Sequence, residues 1–295
     1  MNEFKTYHPI VNFMYFAFVI GFSCVFMHPI CLAVSLACGF TYSVVLKGRG
    51  AIKRNLMYML PMLIAMALIN PAFNHRGVTI LEYLPSGNPL TLESIVYGLA
   101  AAAMIVSVIL WFSCFNMVMT SDKFIYLFGK IIPAMSIVIS MTLRFVPRFA
   151  AQLKVVANAQ RGVGRDVSNG SVIKRAKHGL SILSIMTTWS LENSIQTADS
   201  MKSRGYGIPG RTAFSIFIFD KRDKKALLCI ILLGIYTFIG NLAGGMYFRY
   251  FPSLKGTEIS AFGISVFASY LLLCLCPVII ELWEVRKWKA YEPKN

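Results

Sequence analysis

Apolar runs too long for the elements of a small soluble core dominate this chain. A bilayer core of about 30 Å is crossed by roughly 17–25 apolar helical residues. Residues 9–27, 56–73, 94–119, 226–248 and 261–283 reach that length. A shorter run, 30–46, follows Pro29 and reads as the return arm of a tight hairpin. The predicted fold class is therefore all-α, a polytopic membrane helix bundle of about six spans. Charged residues make up only 14% of the chain, against about a quarter in soluble domains. Trp283 and Trp288, beside Glu281 at the end of the last run, suggest an interfacial belt. The first run begins at Pro9 after one lysine, with no small-residue cleavage site behind it, so no cleavable signal peptide is read. "GLAAAA" at 98–103 and the Gly240-x-x-x-Gly244 spacing permit close helix contacts.

Lys and Arg number 29 against 13 Asp and Glu, a formal net charge of +16. Such an excess fits nucleic acid, an anionic membrane surface or an acidic protein partner, and its location decides among them. Lys47, Arg49, Lys53 and Arg54 place the 47–55 loop in the cytoplasm by the positive-inside rule. Counting spans from there puts both termini inside, with the tail basic through Arg286, Lys287, Lys289 and Lys294. The 74–93 loop, with Arg76 its one Lys or Arg, falls outside. Between the fourth and fifth spans, residues 120–225 hold seventeen basic and six acidic residues. This block is the predicted cytoplasmic domain, between N-terminal helices in 1–119 and C-terminal helices with a basic tail in 226–295. Within it, "IIPAMSIVISMTLRF" at 131–145 is apolar, but Lys130 and Arg144 are only fourteen residues apart. A crossing there would also carry Arg148, Lys154, Arg161 and Arg165 to the outer side. A helix under the bundle, or buried in the cytoplasmic block, is the preferred reading.

Familiar chemistry is missing. There is no G-x-x-x-x-G-K-[ST] loop for ATP, no G-x-S-x-G elbow and no H-E-x-x-H pair. Cys24, Cys31, Cys38, Cys114, Cys229, Cys274 and Cys276 all lie in apolar runs without C-x-x-C spacing and read as reduced core residues. His8, His28, His75 and His178 are scattered. No catalytic residue, cofactor or metal site is expected, and the spans are acid-free except at the end of the last. The membrane part reads as a scaffold.

Two Arg-Gly pairs stand apart from this. "AAQLKVVANAQ" precedes Arg161 and "SLENSIQTADSMKS" precedes Arg204, each a polar stretch of helical character. A glycine there suits a helix C-cap. An arginine at an exposed helix end can be an ordinary complement to the helix dipole, or a fork for carboxylates and carbonyls of a partner. Two similar sites in one basic block favour two equivalent partner surfaces.

"TLRFVPRF" at 142–149, "AQRG" at 159–162 and "MKSRGYG" at 201–207, followed by Gly210-Arg211-Thr212, resemble the transmembrane T component of energy-coupling factor transporters. The resemblance covers about 140–212. That family's two coupling motifs are typically Ala-Arg-Gly; here Gln160-Arg161-Gly162 and Ser203-Arg204-Gly205 depart at the first position. The resemblance implies a multi-pass protein of a prokaryotic plasma membrane that docks two ATP-binding-cassette ATPases, one per motif. It also implies a small membrane subunit that captures a vitamin or metal ion, with ATP hydrolysis confined to the ATPases. Arg161 and Arg204 would anchor helix ends in ATPase grooves, while Arg144 and Pro147 would shape the coupling domain. Alternatives are a stand-alone channel or secondary transporter, against which the acid-poor spans argue, and a membrane-anchored basic-surface binder. No nucleic-acid partner is expected, because aromatics are not interleaved with the charges as stacking platforms.

Overall fold

A computed structural model describes residues 3–83, 89–129, 133–206, 208, 217–256 and 260–291. Its helices are α1 (Pro9–Val25), α2 (Pro29–Lys47), α3 (Gly50–Phe73), α4 (Leu92–Val118), α5 (Ser121–Gly129), α6 (Pro133–Gly162), α7 (Val172–Ser203), α8 (Lys221–Leu242) and α9 (Ala261–Tyr291). Two short antiparallel ribbons join β1 (Ile80–Tyr83) to β2 (Pro89–Thr91), and β3 (Phe248–Arg249) to β4 (Lys255–Gly256). The predicted all-α membrane bundle is what the chain forms. α2, α3, α4, α8 and the Ala261–Glu284 part of α9 are long and apolar enough to cross a bilayer. α1 is also apolar but has only 17 residues. The chain divides into two compact units, Met1–Phe124 with Phe217–Asn295, and Ile125–Ile216.

In the first unit, α1 and α2 start the same way. His8 and His28 stand at the N-caps, and their Nδ1 atoms accept from the backbone N–H of Ile10 at 3.3 Å and Ile30 at 3.2 Å. Proline follows each at the first helical position, where its missing N–H costs nothing. Two of the scattered histidines are thus helix caps. Pro29 separates α1 from α2 as expected.

The core gathers around Trp111, fully buried with Tyr15, Phe16, Tyr42 and Tyr270. Its indole Nε1 donates to Ser35 Oγ at 3.0 Å, and Ser35 and Ser23 hydroxyls lie 2.6 Å apart. Tyr15 OH donates to the Cys274 carbonyl at 3.1 Å. Polar atoms inside a lipid-solvated bundle need such partners, since no water is present to supply them.

Glycine positions show where helices close on each other. A Cβ at Gly98 would stand 2.9 Å from the Ala67 carbonyl oxygen of α3, and one at Gly240 only 2.5 Å from Val266 of α9. The paired Gly240-x-x-x-Gly244 contact does not form. Gly244 faces open space at φ 84° and follows the end of α8. The predicted 226–248 run is accordingly corrected: the helix occupies Lys221–Leu242, and the chain then turns into the β3–β4 ribbon.

Two further corrections concern burial. Cys31, Cys38, Cys114 and Cys274 are buried, but Cys24 and Cys229 are exposed on the bundle surface. The helices also run beyond the apolar runs and take in Glu93, Asp223 and Glu284, all buried. Within the 74–93 connection, β1 pairs with β2, and Thr79 donates its N–H and hydroxyl to Glu93 Oε1 at 3.2 and 2.9 Å.

The unit has two distinct ends. At one, a 3-10 turn at Glu3–Thr6 inserts fully buried Phe4. There Glu3 N–H donates to Glu281 Oε2 at 2.9 Å, His8 N–H to Asp223 Oδ1 at 3.3 Å, and Lys123 Nζ to the Lys5 carbonyl. At the other, Tyr250 OH donates to the Met27 carbonyl at 2.6 Å and Tyr97 packs on Phe251 at 5.2 Å. The Glu3–Thr6 turn, the start of α8 and the Glu281 region of α9 meet at this first end.

The second unit is a helix pair. α6 runs unbroken from Pro133 through Gly162, so the apolar 133–145 stretch is the first half of the helix that ends beside Arg161. Residues 130–132 lie outside the described residues. Val156, Ile182 and Met186 form the small buried cluster between α6 and α7, and Phe149 meets Trp189 edge-on at 6.0 Å. These pairings make the two helices antiparallel. Leu143, Val146, Val155, Leu183, Leu191 and Ile195 stay exposed along the pair.

Candidate functional site at two arginine-bearing helix ends

Both long helices of the second unit stop in the same hydrogen-bonded loop. At the end of α7, Gly205 N–H donates to the Lys202 carbonyl at 3.0 Å and Tyr206 N–H to the Met201 carbonyl at 3.1 Å. Gly205 holds φ 73°, the left-handed conformation that closes a Schellman cap and favours glycine. At the end of α6, Gly164 N–H donates to the Arg161 carbonyl at 3.0 Å and Arg165 N–H to the Gln160 carbonyl at 2.9 Å. The left-handed residue there is Gly164, at φ 77°. Gly205 is therefore the capping glycine its sequence suggested, but Gly162 is not. Gly162 is the last residue of α6, and Gly164 does the capping.

The two arginines consequently differ in register. Arg204 is itself the residue that caps α7, whereas Arg161 belongs to the last helical turn of α6. Arg161 reaches forward, with Nε 3.3 Å from Asp166 Oδ2, while 70% of its side chain remains exposed. Asp166 also accepts from Ser168 N–H at 3.0 Å and Ser168 Oγ at 2.6 Å. Those Ser168 bonds first, and the Arg161 charge second, hold the Asp166 carboxyl below its ordinary range. Arg175 Nε then donates to the Val167 carbonyl at 2.8 Å, tying the loop to the first turn of α7. Sequence reasoning missed Asp166 and Gly164. The second glycine of "RGVG" was the available signal, two residues beyond the one chosen.

The remaining predicted residues fall as follows. Gln160 Oε1 is buried without a hydrogen-bond partner. Ser203 Oγ donates back to the Asp199 carbonyl at 2.9 Å within α7. Arg144 lies exposed on α6, and Pro147 sits inside that helix, where it removes one backbone donor. Gly207, Gly210, Arg211 and Thr212 lie outside the described residues. Among the described residues, no three His, Cys, Asp or Glu side chains gather as a metal site.

Because the pair is antiparallel, the C-termini of α6 and α7 point opposite ways. At 1.5 Å per helical residue, the Phe149–Trp189 contact puts Arg161 and Arg204 roughly 40 Å apart. The structure thus separates the two Arg-Gly sites rather than merging them into one basic patch.

The caps make a sharp expectation. Gly164→Ala and Gly205→Ala should each weaken a helix end by about 1–2 kcal/mol, the cost of left-handed backbone for an L side chain. Gly162→Ala should leave α6 intact or firmer, since a Cβ there meets nothing within 4 Å and alanine is the better helix former by up to about 1 kcal/mol. Hydrogen exchange at Val163–Arg165 and at Tyr206 reads all three. Equal loosening by Gly162→Ala would refute the cap assignment.

These features define a class first: a multi-pass, predominantly helical membrane protein whose sequence carries a long helix pair between its apolar helices. No protein-family model matches the chain. It is 41% identical over 99 residues to the energy-coupling factor transporter transmembrane protein EcfT of Lactobacillus helveticus, covering 33% of this chain and 36% of that one. Over 168 residues it is 30% identical to EcfT of Acidaminococcus fermentans, covering 53% and 62%. EcfT of Streptococcus equi is 30% identical over 103 residues, covering 35% and 38%. The chain is thus related to the transmembrane components of energy-coupling factor transporters, and the matched stretches span between about a third and three fifths of those relatives.

Proposed function

We propose that this protein is the membrane scaffold and energy-coupling subunit of an ATP-driven uptake transporter of the energy-coupling factor type. In this reading residues 120–225 form a cytoplasmic coupling domain, and both termini are cytoplasmic. Arg161 and Arg204 each dock one ATP-binding-cassette ATPase, so that the chain joins two ATPases to a small substrate-capturing membrane subunit. The observation that carries the reading is the pair of arginine-bearing helix ends, capped alike and roughly 40 Å apart on one antiparallel pair. A single partner groove reads one helix end; two opposed ends suit two copies of an ATPase. An exposed guanidinium at each end offers planar donors to carboxylates or carbonyls. The uncovered apolar residues along α6 and α7 fit a helix pair that works against other subunits. Motion of the ATPases on binding and hydrolysing ATP would tilt these helices as rigid levers.

Affinity purification of the tagged chain from its own membrane in mild detergent, with mass spectrometry, tests the reading. Two ATP-binding-cassette ATPases and a small integral membrane protein should co-purify, and the latter would define the substrate as a vitamin or a metal ion. Purification of the chain alone, with transport retained in vesicles lacking any ATPase, would instead support a stand-alone transporter.

A further inference from the structure

α8 and α9 do not close on each other where α8 begins and α9 ends. They leave a groove of about 750 Å³. On α8, Lys225, Cys229 and Leu233 follow one another at helical spacing, so a single stripe runs from charged to apolar. On α9, Leu272, Cys276 and Ile280 continue to Trp283 and Lys287 in the same sense. The groove is apolar toward the middle of the bundle and cationic at its mouth, where Lys221, Arg222, Lys225 and Lys287 meet. Its one carboxylate, Glu284, is only 8% exposed. Among the described residues, none of the four cations is in an ion pair. Arg222 is held in place, 4.2 Å over the Tyr7 ring and donating to Thr6 Oγ1 at 3.2 Å. Lys287 Nζ lies 5.4 Å from the Trp283 ring.

We propose that this groove is a specific site for an anionic phospholipid. One acyl chain lies along the apolar stripe between α8 and α9, and the phosphate sits among Lys221, Lys225 and Lys287. The charge arrangement selects the ligand: four cations with no exposed acid repel a choline or ethanolamine ammonium and attract a headgroup of net negative charge. The length also fits. Twelve residues from Lys221 to Leu233 rise roughly 18 Å, enough to cover most of one leaflet's half of the hydrocarbon core. Trp283 at the mouth occupies the headgroup level, where amphipathic rings are favoured. Positive charge at a membrane surface is common, but it does not by itself come with a groove that continues into the apolar layer.

The full-length chain in phosphatidylcholine nanodiscs, titrated with brominated lipids, tests this through Trp283 fluorescence, with Trp283→Phe subtracting the other tryptophans. Brominated phosphatidylglycerol should quench Trp283 at a mole fraction roughly ten-fold or more below that of brominated phosphatidylcholine. The Lys221→Gln, Lys225→Gln, Lys287→Gln triple variant should lose that preference, whereas Lys174→Gln with Lys177→Gln should keep it. Ala226→Phe leaves every charge in place and fills the groove, so it should reduce quenching by both lipids even if the triple variant fails to fold. Equal quenching by the two lipids, an undiminished preference in the triple variant, or loss of the preference on adding millimolar inorganic phosphate would each overturn the proposal.

Discussion

The Arg161→Ala, Arg204→Ala double variant is expected to lose ATP-driven transport almost completely, with the membrane bundle left as stable as before. Both side chains end on exposed helix termini and neither enters a buried core, so their removal leaves no cavity. Truncating one partner of a charged contact at an interface costs about 2–5 kcal/mol, or at least about 30-fold in affinity per site. Each single variant should therefore weaken one ATPase contact, and the double variant should release both. Arg→Lys keeps the charge but not the planar fork, and should recover only part of the loss. Arg161 has an additional control, because Asp166 holds it in the isolated chain. Asp166→Asn should loosen the loop without abolishing ATPase recovery. Normal transport by a double variant that still retains its ATPases would end the coupling assignment.

Trp111→Ala should be the most damaging substitution in the membrane unit, at about 3–5 kcal/mol. The indole is fully buried, lies 6.1 Å from the Tyr15 ring and 6.2 Å from that of Tyr42, and packs against Gly39, where a Cβ would stand 3.3 Å away. Alanine leaves a void that α1, α2 and α4 cannot collapse into without breaking their own contacts, and it removes the donor to Ser35. Trp111→Phe keeps most of the volume and loses the hydrogen bond, so it should cost about 1 kcal/mol from that bond, plus a smaller packing loss. Thermal unfolding of the purified protein in detergent distinguishes the two variants. An alanine variant that melts with the wild type would mean the bundle is not organised around this residue.

Most of the architecture was legible because its cause is local. Whether twenty consecutive side chains prefer hydrocarbon to water is settled residue by residue, so the spans could be read from length and apolarity. Pro29 had to divide α1 from α2 for a similarly local reason, its ring and missing N–H. The His-Pro starts of α1 and α2 are equally visible in the sequence, yet histidine is an unusual N-cap, and only the Nδ1 contacts with Ile10 and Ile30 assign it that role. The Arg-Gly sites stood out through their polarity against so apolar a background.

The chain's own chemistry, then, determined that it is an all-α membrane protein with a basic internal block bearing two Arg-Gly pairs. Tertiary structure decided how those pieces are used. Gly162 and Gly164 are alike as residues, and only the register in which α6 stops makes Gly164 the left-handed cap. Gly240 and Gly244 look like one contact motif, but α9 reaches Gly240 alone, because α8 has ended before Gly244. Asp223 and Glu281 are tolerable in buried positions because of where they sit. Asp223 and Glu281 accept the backbone N–H groups of His8 and Glu3, from chain more than 200 residues away. The distance between Arg161 and Arg204 follows from α6 and α7 packing antiparallel on Val156, Ile182 and Met186. Each of these outcomes depends on which surfaces meet, and a free energy shared between distant segments leaves no periodicity in either one.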